Sequence, residues 1–203
     1  MINIIYSIFG FSKGKTESAI GITIRAVANK EHILFAQFLK DGNSGEIEYF
    51  TTHCKDNITC LAQGTVGFSN LEQAKGIDNL IARIRSDLFI AYEMGRPYTL
   101  VVLDEVLVAL DKELLLEEEF SDLIRVIQSY GGDVYLTGRI NSSKLRNKIA
   151  ELSDVCGDLF SEAHCFNKRC SGCGVEYPYR FIYCPSCGSE LEGGEPCIKG
   201  RDY

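Results

Sequence analysis

The 203-residue chain has no tryptophan, only two methionines and four prolines, and fewer basic than acidic residues. Lysine and arginine together number 21 against 28 aspartates and glutamates, which gives a formal net charge of -7 at pH 7. Proteins that bind a phosphate backbone usually present a basic surface, so this balance argues against nucleic acid as the main partner. We therefore expect no nucleic-acid partner.

The chain also lacks a stretch of about 20 consecutive apolar residues, the length that crosses a membrane as a helix. The apolar segment 2–9 has neither a basic leader nor a small-residue cleavage motif, and it runs directly into Gly10. These features predict a strand that enters a loop rather than a signal peptide. The composition, with 45% apolar and 24% charged residues, is that of a globular protein, which we expect to be cytoplasmic and free of membrane contact.

Cysteine, by contrast, is abundant, with nine residues in the chain. Four of them form two CxxC pairs, Cys170 with Cys173 and Cys184 with Cys187, and the other five are scattered. An odd count without a secretion signal favours reduced thiols over a disulfide framework. The two pairs and the aromatic, β-prone segment between them predict a closed, structural Zn²⁺ site in a zinc ribbon. Four thiols without a metal are the alternative.

Hydrophobic periodicity predicts alternating strands and helices along the chain up to about residue 152. Strands are predicted at 2–9, 32–38, 98–103 and 133–136, and helices from the loop after residue 14 to 28, at 71–92, at 116–127 and from 143 to 152. Strands separated by helices of this length are typical of parallel βαβ units. The predicted fold class is therefore a three-layer α/β domain with a mostly parallel sheet.

A loop rich in glycine and lysine follows the first predicted strand. Residues 10–16 read GFSKGKT and precede a helix, so backbone N–H groups and the helix N-terminus can bind an anion there. Lys15 can reach phosphate oxygens, and the Thr16 hydroxyl can ligate Mg²⁺. The GxxxGKT spacing is one residue shorter than that of most P-loops. A basic turn that only caps a helix is the alternative, but the flanking strand and helix favour a P-loop.

Two more motifs follow predicted strands. Asp104 and Glu105 end the strand 98–103, where a carboxylate can hold Mg²⁺ directly or through water. They could instead form the first turn of the next helix, where acidic residues are also favourable. Residues 137–139, with the sequence TGR, follow the next strand, so Arg139 is expected to contact phosphate or ribose. A plain surface loop is the alternative for these three residues.

Four segments of the sequence resemble, in order, ATP:corrinoid adenosyltransferases of the P-loop type. They are FSKGKTESAIGITIRA, AQFLKDGNSGEIEYF, TLVVLDEVLVALDKELL and VYLTGRINSSKLRNKIAELSDV. The similarity extends over residues 2–165, includes the short P-loop spacing and returns in the terminal IKGRDY. It implies a RecA-like P-loop domain, usually a homodimer, that transfers the 5′-deoxyadenosyl group of ATP to the cobalt(I) of a reduced corrinoid and releases triphosphate. A reduced flavoprotein is implied as the electron source.

The resemblance also implies roles for individual residues. ATP would be bound by Gly10, Phe11, Ser12, Lys13, Gly14, Lys15, Thr16 and Glu17, joined by Arg139. Lys15, Thr16 and Glu105 would be catalytic, with Mg²⁺ on Thr16, Asp104 and Glu105. The corrinoid would lie against Gln37, Lys40, Phe68 and Asn70. The expected domains are 1–165 for nucleotide binding and adenosyl transfer, 166–192 for the zinc ribbon and 193–203 for a C-terminal tail.

The chain departs from the family pattern at several positions. The pattern GNGKGKTT corresponds here to GFSKGKTE, so that Ser12 replaces a glycine and Glu17 replaces a threonine. A carboxylate in the first helical turn would repel a triphosphate unless it points away or engages the metal. Asn70 stands where many members have tryptophan.

Two other functions stay open at this point. Type II thymidine kinases also combine a P-loop with a C-terminal zinc ribbon, so a nucleoside kinase of that type is one alternative. Their loop has the full GxxxxGK spacing, and they have no counterpart of QFLKDGNSGE. A non-catalytic protein that binds ATP or a corrinoid is the other alternative, although the presence of Lys15, Thr16, Asp104 and Glu105 favours an enzyme.

Overall fold

The computed structural model describes residues 3–63 and 69–159, and the backbone alone of residues 166–169 and 176–178. The chain divides into two units, Met1–Leu159 and Phe160–Tyr203. The predicted zinc ligands and Phe68 lie outside the described residues.

The first unit is built around a sheet of six strands. They are β1 (Ile5–Phe9), β2 (Ile33–Gln37), β3 (Ile58–Ala62), β4 (Leu100–Asp104), β5 (Asp133–Gly138) and β6 (Val155–Asp158). Their order is β3-β2-β4-β5-β1-β6, and every neighbouring pair is parallel. The α/β prediction is confirmed, with a sheet that is parallel throughout the described strands. The carboxyl ends of parallel strands share one edge, so the loops that follow β1, β2, β4 and β5 meet there.

In the described part of this unit, six helices connect the strands. They are α1 (Lys15–Ala28), α2 (Gly45–His53), α3 (Asn70–Glu93), α4 (Val106–Asp111), α5 (Glu117–Ser129) and α6 (Ser143–Leu152). Four of them, α1, α3, α5 and α6, confirm predicted helices, and the Ser142 hydroxyl caps α6 by accepting a hydrogen bond from the Leu145 N–H. The sequence pattern did not predict α2, α4, β3 or β6. None of the helices in the described part of the chain has the length and apolar content needed to span a bilayer.

Buried side chains cover both faces of the sheet. Along β4, Val101 and Leu103 join a core shared with α3, α4, α5 and α6, whereas Leu100 and Val102 join the core shared with α1 and α2. The prediction that this strand is buried on both faces is confirmed. Each such side chain contributes about 1.5–3 kcal/mol by leaving water, so the two cores hold the carboxyl edge of the sheet in a fixed geometry.

In the second unit, Phe166–Arg169 and Glu176–Pro178 form the antiparallel strands β7 and β8. Antiparallel strands of this kind can be joined as a hairpin.

Candidate active site

The loop between β1 and α1 is anchored on the residue that follows β6. Gly10 has a φ of +123°, and a Cβ at this position would lie 2.3 Å from the carbonyl oxygen of Leu159. The Ser12 N–H donates a hydrogen bond of 3.1 Å to the same oxygen. Only glycine fits at position 10, because both the backbone conformation and the close approach exclude a side chain.

An open pocket of about 470 Å³ lies at the carboxyl edge of the sheet. Its lining residues are Phe11, Ser12, Lys13, Gly14, Lys15, Thr16, Glu17, Lys40, Glu105 and Arg139. Four of these ten residues are basic and two are acidic, so the pocket is locally positive although the chain as a whole is acidic. Such a pocket, at a helix N-terminus, suits a polyanion such as triphosphate.

Asp104 is a fully buried carboxylate that accepts hydrogen bonds from three side chains. Its Oδ1 accepts from the hydroxyls of Thr16 at 3.1 Å and Thr137 at 2.7 Å, and its Oδ2 accepts from Lys40 Nζ at 2.7 Å. A buried charge needs such compensation, because removal from water destabilises it. Asp104 therefore connects the start of α1, the end of β5 and the loop after β2.

Glu105 lines the pocket from a strained backbone position. Its φ is +63°, in the left-handed region that residues other than glycine seldom adopt. Burial raises the pKa of the Glu105 carboxyl, and the neighbouring Asp104 raises it further, while Lys40, Lys15 and Arg139 act in the opposite direction. Three cations thus act on one carboxyl group at the edge of the pocket.

The oxygen atoms of the pocket fit a Mg²⁺ ion that also binds phosphate. Glu105 and Thr16 both line the pocket, and Mg²⁺ is usually held by one or two protein oxygens, substrate phosphates and water. Asp104, with both oxygens already bound by protein donors, is suited to orient Thr16. Among the described residues, no group of three His, Cys, Asp or Glu could hold a metal by itself.

Glu17 lies at the pocket rather than pointing away from it. Its Oε2 accepts a hydrogen bond of 3.0 Å from the Gly14 N–H, a donor that a phosphate oxygen could use. Lys15 Nζ donates to the Ser12 carbonyl at 2.5 Å, so its ammonium group stays close to the loop. A negative side chain and a bound triphosphate would therefore compete for the Gly14 amide.

Arg139 lines the pocket, and its guanidinium carbon lies 5.3 Å from the centroid of the Phe11 ring. Arg146 approaches the same ring at 5.1 Å, and its Nε donates to the Ile140 carbonyl at 2.9 Å. Both guanidinium groups are within the distance of a cation–π interaction. Sequence reasoning placed Arg139 at this edge but missed Arg146, which comes from α6 and has no motif around it.

Of the described residues expected to contact the corrinoid, Lys40 lines the pocket beside the P-loop, whereas Gln37 and Asn70 do not. Gln37 is fully buried at the end of β2 and donates to Glu46 Oε1 at 3.0 Å. Lys40 lines the phosphate-loop pocket, where it is bound to Asp104. Asn70 is the exposed first residue of α3, and neither it nor Gln37 lines that pocket.

A comparison with known families places most of the chain in one of them. The family model described as ATP:corrinoid adenosyltransferase BtuR/CobO/CobP matches residues 2–177, a range that contains the whole pocket described above. Among curated proteins, no match was found.

Proposed function

Because the chain belongs to the ATP:corrinoid adenosyltransferase family and therefore transfers the adenosyl group of ATP to a corrinoid, we propose that the pocket beside the P-loop binds the triphosphate of ATP. The excess of basic side chains in this pocket is the observation that carries the proposal. The transfer forms a cobalt–carbon bond to C5′ and breaks the bond from C5′ to oxygen, so that triphosphate leaves. Negative charge accumulates on that leaving group, and fixed donors and cations stabilise it most effectively there.

In this proposal Lys15 and Arg139 contact phosphate oxygens, and the loop amides donate to them. Lys40 is added to this group, because its ammonium group lines the pocket while Asp104 holds it at 2.7 Å. Thr16 and Glu105 would hold Mg²⁺, with Asp104 orienting the Thr16 hydroxyl. The ion would neutralise part of the triphosphate charge.

For the corrinoid we propose contacts at Gln37, Lys40, Phe68 and Asn70. The exposure of Asn70 leaves its side chain accessible to a substrate and supports its part in this proposal. Gln37 keeps a buried Oε1 that accepts no hydrogen bond in the described part of the chain, so a polar partner would stabilise it.

We further propose that the protein is a homodimer with a RecA-like fold. A homodimer is supported by the exposed apolar side chains of Phe89, Ile90 and Met94 near the end of α3, which an interface would cover. The RecA-like arrangement is supported by the parallel sheet with its phosphate loop after β1. We also propose a cytoplasmic location and reduction of cobalt by a flavoprotein, since cobalt(I) needs a reducing environment.

The reaction products test the function directly. Protein supplied with Mg·ATP and a chemically reduced corrinoid should yield triphosphate and an adenosylcorrinoid in equal amounts. Absorbance spectra follow the corrinoid, and ion-exchange chromatography identifies the phosphate product. A protein without corrinoid is the control and should release neither. ADP together with a phosphorylated nucleoside would instead identify a kinase.

Replacing Glu17 with threonine should strengthen ATP binding by about fivefold, because removal of one exposed negative charge beside the triphosphate is worth about 1 kcal/mol. Titration calorimetry of both proteins with Mg·ATP measures the change. Glu17→Gln is the matched control, since glutamine can still accept from the Gly14 N–H without the charge. Weaker binding in both variants would mean that Glu17 helps to hold the metal.

A further inference from the structure

Thr137, the first residue of the TGR sequence, is fully buried at the carboxyl end of β5. Its hydroxyl makes two hydrogen bonds at once. It accepts from the backbone N–H of Glu105 at 3.0 Å and donates to Asp104 Oδ1 at 2.7 Å. A single side chain on β5 therefore binds both Asp104, the last residue of β4, and Glu105, the residue that follows it.

The next residue, Gly138, brings the same two segments into direct contact. A Cβ at this position would lie 2.8 Å from both Leu107 Cβ and Val108 N, and its φ is +152°. The first turn of α4 thus packs against the bare backbone of β5. Since α4 begins at Val106, directly after Glu105, the turn that carries Glu105 is fixed by Thr137 on one side and by Gly138 on the other.

Glu105 needs such support because of its backbone conformation. A left-handed, non-glycine residue persists only where its surroundings hold it there. In this conformation Glu105 lines the pocket beside the P-loop. Without the bond from its N–H to Thr137, this conformation would lose one of the two contacts that hold it, and the carboxylate would be held less firmly at the pocket.

We propose that Thr137 is a positioning residue for the metal site, whose hydroxyl holds Glu105 in its left-handed conformation and keeps the Glu105 carboxylate at the pocket. This inference rests on the proposed role of Glu105 in holding Mg²⁺. Thr137 touches neither ATP nor the corrinoid in this assignment, and it acts through Glu105.

The test compares Thr137→Val, which keeps the shape and removes both hydrogen bonds, with Thr137→Ser, which keeps the hydroxyl. The readout is the Mg²⁺ enhancement of ATP binding, defined as the ATP dissociation constant in EDTA divided by that in Mg²⁺. Corrinoid is left out, so that no transfer occurs. Loss of a group that orients a metal ligand typically weakens metal binding 10–100-fold. We expect Thr137→Val to lower the Mg²⁺ enhancement of ATP binding at least tenfold, and Thr137→Ser to keep it within about twofold.

A double-mutant cycle with Glu105→Gln separates the possible outcomes. If Thr137 acts through Glu105, the two substitutions together should lower the Mg²⁺ enhancement no more than Glu105→Gln alone. Additive effects would show that Thr137 acts independently of Glu105, and the inference would be wrong. An unchanged enhancement in Thr137→Val, beside a lowered one in Glu105→Gln, would also overturn it but leave the metal role of Glu105 intact. No effect of Glu105→Gln would overturn the metal assignment and this inference with it.

A measurement on the unaltered protein covers the case in which Thr137→Val does not fold. The Glu105 amide should exchange its hydrogen slowly with D₂O, as measured by NMR, because the buried Thr137 hydroxyl accepts from it. Exchange as fast as that of exposed loop amides would contradict the proposal.

Discussion

Replacing Lys15 with alanine should lower the rate of adenosyl transfer about tenfold or more while the protein stays folded. Lys15 lines the pocket, and a charge-assisted hydrogen bond to a leaving phosphate is worth about 1.5–3 kcal/mol, of which each 1.4 kcal/mol is a factor of ten. The side chain contributes to no core cluster, so the melting temperature should change little. Initial rates of adenosylcorrinoid formation and a thermal melt measure the two effects.

Lys75→Ala is the matched control, since it removes the same charge from an exposed position on α3 that does not line the pocket. Its rate should equal that of the unaltered protein. If Lys15→Ala kept both the rate and the affinity for ATP, the P-loop would have no part in the mechanism.

Replacing Cys184 with serine should lower the zinc content and unfold the predicted ribbon locally. The segment 166–192 has few residues with which to build a core, so zinc would supply most of its folding free energy; structural zinc sites contribute about 10–16 kcal/mol. The P-loop unit has its own sheet and two cores and should keep its melting transition. Elemental analysis of the purified protein should give one Zn²⁺ per chain before the substitution and clearly less after it.

Cys156→Ser serves as the control, because Cys156 is an exposed free cysteine outside the two CxxC pairs. This variant should keep its zinc. Absence of zinc from protein purified under reducing conditions would rule out the ribbon.

The balanced charges of the segment suggest protein contacts rather than nucleic acid binding. A ribbon that covers the corrinoid would make Cys184→Ser lose corrinoid affinity, whereas a ribbon at a dimer interface would make it dissociate.

The sequence predicted those elements whose hydrophobic pattern is strong. Residues 98–103 form a continuous apolar run, and 71–92 repeat apolar side chains at helical spacing, so β4 and α3 were found within a few residues. The helix α2 buries only Phe50, and the edge strand β6 is largely exposed, so neither leaves a periodic signal. The family match confirms the adenosyltransferase function that the resemblance implied.

The site itself could be predicted only as far as its motifs extend. The P-loop and the Asp104–Glu105 pair were identified because each follows a strand at the same edge of the sheet. Sequence could not reveal that Lys40 contacts Asp104, because that contact depends on how β2 and β4 lie side by side. The same holds for Thr137, whose role needs the register between β4 and β5.

The hydrogen bond between Ser12 and Leu159 joins the two ends of the first unit. On the ribosome, β1 and the phosphate loop are synthesised first. The strands that flank β1, which are β5 and β6, are synthesised at the end of the unit, as is the Leu159 carbonyl that anchors the loop. Closing so long a segment is entropically unfavourable and slows folding. The anchor of the phosphate loop therefore cannot form until nearly the whole unit has emerged, and a truncated product that ends before Leu159 would lack it.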